Sequence, residues 1–436
     1  MAAMKNKPNF LFFLPDQHRR DWTGSRINLP LRTPNLDGLR KNGTSFSRAY
    51  TPSPLCAPAR ACLASGLDYT RCRVPSNREN YPLSQPTYYQ RLRDGGYRVC
   101  GVGKFDLHKG ENDWNLDGSR QLEEWGFTEG IDNEGKFDGS NSYRKAGEPK
   151  GPYLNYLEHR GFADIYAREH EVRGKFRGAY VTELDEDAYC DNWVAENGLK
   201  FLSEFPEEQP WHLVVNFTGP HNPMDVTRRM HDRWKDAGFP LPVKNDDPDY
   251  TPEDHQRIRR YYAAMIENID RHVGRFIDEV RDRGELENTV IVYASDHGEM
   301  LGDHGLWGKA VWYEASAGIP LIVSGPGIAA AKASDAFVSL HDLTATFLDY
   351  AGVPALENTD SMSLRELLAG ERETHREFVR SGLEGWRMVF DGRYKLVERE
   401  GKPPLLYDLE NDPEERIDVS AKNPEAVKRL GPKIAW

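Results

Sequence analysis

Cysteine is scarce in this chain: Cys56, Cys62, Cys72, Cys100 and Cys190 are all there are in 436 residues, and no two stand in a C-x-x-C pair. The odd number and scattered spacing exclude a disulfide framework and a cysteine-rich zinc cluster. Positive charge is also short, with 57 Lys and Arg against 69 Asp and Glu and a net charge of −12. That balance excludes a nucleic-acid partner, because phosphate neutralisation needs clustered Lys and Arg. An anionic ligand would need a local, strongly cationic site. Long apolar runs are missing as well. No stretch approaches the ~18 residues that span a bilayer, so no membrane partner is expected. Near the start only Phe10–Leu14 is apolar, and Pro15 and Asp16 follow at once, too little for a secretory h-region. The chain reads as cytoplasmic and reduced; a leader already removed would make it periplasmic or secreted. No internal repeat or low-complexity tract is present, and composition leaves the oligomeric state open.

What is present is an alternation of apolar runs and helical patterns, which points to an α/β fold with a large, mostly parallel sheet flanked by helices. Phe10–Leu14, Tyr97–Val102, His212–Phe217, Thr289–Ala294 and Pro320–Ser324 read as buried strands. Thr33-Pro34 reads as an N-cap with proline at the first helical position, and Gly43 as the stop of that helix. Thr251-Pro252-Glu253-Asp254 opens a helix that carries Ile258, Tyr262, Met265, Ile269, Val273, Phe276 and Val280 on one face before Gly284. Residues 110–190 are acidic, glycine-rich and aromatic with weak periodicity, and read as an insertion that shapes a pocket. "WRMVFDGRYKLVE" predicts a hairpin with an Asp391-Gly392 turn. With "PLLYDLENDPEE" it implies a small antiparallel sheet, so the chain divides into a large domain over 1–370 and a small one over 371–436.

The residues that follow the buried strands are of one kind. Asp16 and Gln17 follow the first; Lys104 and, a turn later, His108 follow the second. His221 follows the third, and Asp296 and His297 the fourth, with Lys309 in the next loop. Carboxyl ends of strands in an open α/β sheet converge on one crevice. Each residue alone reads as a cap or turn residue; together they form a site. Asp16, Gln17, Asp296 and His297 offer mostly oxygen, which suits Ca²⁺ or Mg²⁺ better than Zn²⁺, while the imidazole nitrogen keeps Mn²⁺ open. Lys104, Lys309 and Arg60 add fixed positive charge, so the set suits a tetrahedral oxyanion, sulfate or phosphate. His221 stands ready to protonate a leaving oxygen. The part not supplied is a nucleophile. Cys56, pinned between Pro54 and Pro58, is either a small buried apolar residue or that nucleophile.

Cys56-Ala57-Pro58-Ala59-Arg60 is C-x-P-x-R, followed by "ACLASG". It resembles the type I sulfatases of the alkaline phosphatase superfamily. The resemblance runs along nearly the whole chain: "KPNFLFFLPDQHRRD", "TPNLDGLRKNGTSFSRAY", "GYRVCGVGKF", "VNFTGPHNP", "VIVYASDHGEMLGDHGLWGK" and "YDLENDPEE" are similar to family segments in the same order. It implies an alkaline-phosphatase-like fold and a sulfuric ester hydrolase. It also implies that a separate formylglycine-generating enzyme oxidises Cys56 to Cα-formylglycine. Arg60 would hold the hydrated form, and Asp16, Gln17, Cys56, Asp296 and His297 would ligate the metal, Ca²⁺ with Mg²⁺ or Mn²⁺ as alternatives. Lys104 and Lys309 would bind the sulfate, His221 would face the leaving group, and Asn77 in "VPSN" would face the substrate.

The chain departs from the family's usual pattern in two places. Asp16-Gln17 and Asp296-His297 stand where many relatives have paired Asp and Asp-Asn. That variant resembles phosphonate monoester hydrolases and choline sulfatase, so a phosphonate monoester or phosphodiester hydrolase is the alternative activity. Asp106 stands where the family often has histidine, and His108 either takes over that role or is a surface-loop histidine. The expected substrate is a small sulfated alcohol, a carbohydrate sulfate, with Trp114, Trp125, Tyr143, Tyr153, Tyr156 and Tyr166 available either to stack on a sugar face or to form the core of the insertion.

Overall fold

The computed structural model describes residues 7–24, 29–172, 178–244 and 247–434. Its centre is an eight-stranded sheet in the order Lys332–Ser334, Gly43–Phe46, Leu321–Ser324, Thr289–Ala294, Asn9–Phe13, Trp211–Asn216, Arg98–Gly103 and Glu129–Asp132. From Thr289–Ala294 to Glu129–Asp132 neighbouring strands run parallel. Leu321–Ser324 is antiparallel to both its neighbours. The expected strands lie within a residue of their predicted limits, and the mostly parallel, helix-flanked sheet is the predicted class.

Continuous apolar runs arise because both faces of these strands are covered. Phe10, Phe12 and Leu14 pack to one side with Val292, Leu63 and Phe347; Leu11 and Phe13 pack to the other with Val215, Ile291, Val273 and Phe276. The first side is closed by helices Cys56–Ser65 and Asp342–Ala351, the second by Cys190–Glu204 and the long helix Pro252–Asp282. That long helix starts with the expected capping box, Thr251 Oγ1 accepting from Asp254 N, and every apolar residue assigned to its face is buried.

Three expectations need correction. Gly43 does not stop the helix Pro34–Lys41; Asn42 does, and Gly43 opens a strand. A Cβ at Gly43 would meet Val323 O at 2.2 Å, so the strand pairing, not a helix cap, requires glycine there. Thr33 makes no side-chain cap, because its Oγ1 accepts from Gly24 N at 2.8 Å. Residues 110–190 are not wholly an insertion either. Glu129–Asp132 is the edge strand of the main sheet, and helices Lys136–Ala146, Pro152–His159 and Ala163–Val172 follow it.

The hairpin over 386–399 forms as predicted within a four-stranded antiparallel sheet, Val379–Leu383, Trp386–Phe390, Tyr394–Arg399 and Lys402–Asp408. Gly392 takes φ +105° in its loop, and Tyr394 N donates to Asp391 Oδ1. Side-chain alternation covers both faces. Val389, Leu396 and Leu406 meet the helix Pro424–Ile434, whereas Met388, Val397 and Tyr407 meet Tyr50, Ala317 and Phe337 of the main body. Buried Lys395 ties the two parts, reaching Glu314 at 2.6 Å and Glu415 at 2.7 Å.

Candidate active site

The carboxyl ends of strands Asn9–Phe13, Thr289–Ala294, Arg98–Gly103 and Trp211–Asn216 lie side by side, and each loop leaving them carries a residue into one crevice. The helix Cys56–Ser65 points its first turn at the same place. Leu55 enters it extended, Asn77 Oδ1 accepts from Ala57 N at 3.0 Å, and Gly66 ends it at φ +71°. Every residue of this helix is buried. Cys56 and Arg60, four residues apart, share a helix face.

Asp16, Cys56, Asp296 and His297 place one donor atom each within 4.8 Å of one another. His297 Nδ1 hydrogen-bonds Gly298 O at 3.0 Å, which leaves Nε2 toward Cys56 Sγ at 3.2 Å and Asp16 Oδ1 at 3.6 Å. A donor nitrogen held by its partner nitrogen's hydrogen bond is the usual arrangement of a metal-binding imidazole. Asp296 Oδ1 accepts from Gln17 N at 3.0 Å and His297 N at 2.9 Å, and its Oδ2 from Arg60 Nε at 3.0 Å. Gln17 sits in the left-handed region, φ +72°, uncommon for a side chain with Cβ. Its amide nitrogen donates to Asn222 Oδ1 and Glu299, and its Oε1 accepts from Lys309 Nζ, so one lone pair of that oxygen is left. The donors fit a hard divalent cation held by Asp16, Asp296, His297, Gln17 and the group at position 56.

Electrostatics follow from crowding. Burial pushes Asp16 up, but Lys104, His221 and Lys309 together hold it well below the usual carboxylate range. Burial and the Asp16 charge raise Asp296. Burial and Asp16 also oppose ionisation of Cys56, yet Lys104, Lys309 and His297 outweigh them and bring the thiol down to about 6. The neighbouring cations thus favour the thiolate at position 56 over the thiol. Arg60 adds Asn216 Oδ1 at 3.0 Å and Lys104 O to its contact with Asp296.

Cys56 forms part of the wall of a cavity of about 240 Å³ whose lining includes Asn77, Lys104, Lys109, Lys136, Phe137, His221 and Lys309. Lys104 Nζ donates to Asp16. His221 lies between the cis peptides Gly219–Pro220 and Asn222–Pro223, with Nδ1 2.6 Å from Asn222 O and Nε2 2.7 Å from Lys309 Nζ. Its Nε2 therefore accepts from the lysine. Burial, with Lys309 next, keeps the imidazole well below its usual pKa. Asp191 fixes this loop, its carboxylate accepting from Thr218 N and Gly219 N.

Asp16, Gln17, Cys56, Arg60, Asn77, Lys104, His221, Asp296, His297 and Lys309 are thus brought together. His108 is not. Its Nε2 meets Asp132 Oδ2 at 2.8 Å and its ring stacks on Trp125, so it is buried beneath the site and does not reach the cavity. The turn through Asp106, at φ +55°, directs Lys109 to the cavity instead. None of the six aromatics left between stacking and core lines the cavity: Trp114, Trp125, Tyr153 and Tyr166 are core, and Phe137 takes that wall. Lys109, Lys136, Asp191 and Glu299 were not legible in the sequence, since a lysine in a loop or an acid at a helix start carries no signal of what it faces. All five cysteines are free and buried, and no helix among the described residues is long and apolar enough to cross a membrane.

Comparison with known proteins bears on this arrangement. The Sulfatase family model matches residues 8–353, and the model for the C-terminal part of N-sulphoglucosamine sulphohydrolase matches 302–430. The choline-sulfatase of Rhizobium meliloti (strain 1021) is 32% identical over 96% of this chain and 83% of its own length. The phosphonate monoester hydrolase of Silicibacter pomeroyi superposes with a TM-score of 0.81 at 25% identity, covering 98% of this chain and 94% of that one. A protein solved in complex with its substrate D-glucosamine-2-N,6-O-disulfate has the same fold, with a TM-score of 0.77 at 19% identity, covering 98% and 97%.

Proposed function

The chain belongs to the sulfatase family and is a sulfuric ester hydrolase; on that premise we propose that it releases inorganic sulfate from a small carbohydrate sulfate, using a formylglycine made from Cys56 and a divalent cation. The observation that carries this reading is the cavity itself. Asp16, Cys56, Asp296 and His297 lie within 4.8 Å of one another, and Cys56 shares the cavity wall with Lys104, Lys109 and Lys309. Cys56 is 1% exposed, out of reach of any enzyme in the folded chain, so its conversion by a formylglycine-generating enzyme belongs before folding.

When bound, the cation, Ca²⁺ foremost with Mg²⁺ and Mn²⁺ as alternatives, supplies Lewis acidity, and the hydrated formylglycine supplies a hydroxyl nucleophile whose twin hydroxyl allows the aldehyde to re-form. The chain's own residues do the rest. Lys104 and Lys309 neutralise sulfate oxygens, Arg60 clamps Asp296 and the backbone of Lys104, and Gln17 orients Lys309. Lysine has three donors, and those of Lys309 to Gln17 and His221 leave a third for the leaving oxygen. His221 holds that lysine in place. Asn77 keeps the helix start at the wall.

The saccharide reading is supported by the match to the N-sulphoglucosamine sulphohydrolase C-terminal model. The cavity of about 240 Å³ lies below the usual range of about 300–1,000 Å³ for drug-sized ligands, which suits one terminal sulfated group rather than a chain passing through. A second reading, phosphonate monoester hydrolysis, is favoured by Asp16-Gln17 and Asp296-His297 together with the likeness to the Silicibacter pomeroyi enzyme. A panel of N- and O-sulfated glucosamines, choline sulfate, a nitrophenyl sulfate and an aryl phosphonate decides between them. A sugar sulfate should have the highest kcat/KM; the phosphonate outrunning every sulfate would reverse the assignment, and choline sulfate leading would replace the saccharide.

A further inference from the structure

Lys109 is given no chemical role in the reading above beyond its place on the cavity wall, where its side chain is only 9% exposed. Its ammonium meets Asp106 Oδ2 at 2.9 Å and Oδ1 at 3.1 Å, and Asp138 Oδ2 at 2.6 Å. The same Asp106 carboxylate lies 3.1 Å from Lys104 Nζ. One buried acid therefore holds two lysines side by side. The left-handed backbone at Asp106, φ +55°, folds the chain back so that residues 104 and 109 both reach it.

Asp106 is a shared counter-ion: Lys104 is in contact with it but also donates to Asp16, while Lys109 and Arg60 act on the same carboxylate. A buried ammonium on a cavity wall carries a desolvation cost that an arriving anion sharing it would offset. Lys136, which also lines the cavity, is held by Asp225 Oδ1 at 2.5 Å and by the backbone carbonyls of His221 and Pro223. Lys109 makes as many contacts to oxygen, but all to side chains, both oxygens of Asp106 and Oδ2 of Asp138, and the Asp138 side chain is 30% exposed.

We propose that Lys109 is a substrate-binding residue whose ammonium, aimed by Asp106, donates to a non-bridging oxygen of the ester's sulfate group from the wall beside Lys104. Asp106 is the positioning residue of the pair. This rests on the sulfatase reading and adds a cation to it.

The test is made on the mature, metal-loaded enzyme with K109M, K109R, D106N and the double variant D106N/K109M, reading KM, kcat and inhibition by inorganic sulfate. A lost hydrogen bond between charged groups corresponds to about a ten- to hundredfold change, so K109M should raise both KM and the sulfate inhibition constant by that order. K109R should recover part of it. The double variant should bind sulfate no better than K109M. Sulfate inhibition unchanged in K109M, or restored in the double variant, overturns the proposal, because Lys109 then serves only to neutralise Asp106. If K109M does not fold, the double variant, with no acid left unpaired, carries the same comparison. Wild-type enzyme that neither cleaves a sulfate ester nor is inhibited by sulfate overturns the underlying reading, an outcome the variants alone do not produce.

Discussion

Replacing Lys309 with methionine should change how the rate depends on the leaving group, not only its size. In the proposed mechanism the proton for the departing oxygen comes from this lysine, whose other contacts are to Gln17 and His221. His221 Nε2, 2.7 Å away, is an acceptor, because its Nδ1 is 2.6 Å from Asn222 O, and burial with the neighbouring ammonium holds the imidazole well below its usual pKa. Two kinds of loss then add. The missing positive charge weakens every sulfate ester alike, by about ten- to hundredfold. The missing acid matters only where the alcohol needs a proton, and general acid catalysis is typically worth about 10²–10⁴-fold, or about 3–5 kcal/mol of barrier. A nitrophenyl sulfate, with its acidic phenol, escapes most of the second loss; a sugar sulfate bears both. Measured as kcat/KM over a series of aryl and alkyl sulfates, K309M should give a steeper dependence on leaving-group pKa than wild type. H221A, which releases the lysine without removing it, should fall between. Parallel lines for K309M and wild type would refute the acid role and leave Lys309 as a sulfate-binding charge only.

Other outcomes follow from the same geometry. Cys56→Ala should abolish turnover with little change in thermal midpoint, and mass spectrometry of the wild-type peptide should show an aldehyde in place of the thiol; an intact thiol in fully active enzyme contradicts this. Asp296→Asn should lower metal occupancy measured by elemental analysis, since that carboxylate joins the metal cluster to Arg60; full occupancy would remove Asp296 from the ligand set. Glu134, 1% exposed, accepts from Leu154 N at 3.0 Å and Tyr153 N at 3.2 Å, and burial, overcoming those bonds, pushes it from 4.5 up to about 7. The unfolded chain loses that proton first, so between these values the native state binds more protons and stability falls as pH rises, by up to about 3 kcal/mol. Glu134→Gln should flatten that slope in urea unfolding followed across the range; an unchanged slope would place the titration elsewhere.

Much of the site was readable because local rules and tertiary placement agree in it. Asp16, Asp296, Lys104 and His221 all follow strands of one parallel sheet, and parallel strands point their carboxyl ends to one edge, so reading strand ends amounts to reading the crevice. The i, i+4 spacing of Cys56 and Arg60 likewise puts both on one face of a helix before anything is known of its partners. His108 failed for the opposite reason. Whether the crevice receives residue 108 or 109 depends on one left-handed residue, Asp106, and an aspartate does not announce that conformation as a glycine would. For the aromatics of 110–190 the sequence left core and sugar platform both open, because amphipathic side chains suit either, and packing decided for the core at Trp114, Trp125, Tyr153 and Tyr166.

The sequence by itself determined the class of fold, the strand ends that carry the chemistry and the cysteine at the helix start. Periodicity and strand direction are local properties, and local properties survive without a structure. Tertiary structure alone decided that Glu129–Asp132 closes the sheet edge and that Asp191 anchors the loop of His221. It likewise decided that Asp106 gathers Lys104 and Lys109 and that His221 accepts a hydrogen bond from Lys309. Each of these joins groups on separate segments or across a turn of unpredicted hand. Their energies depend on distance and burial, which exist only once the chain has closed on itself.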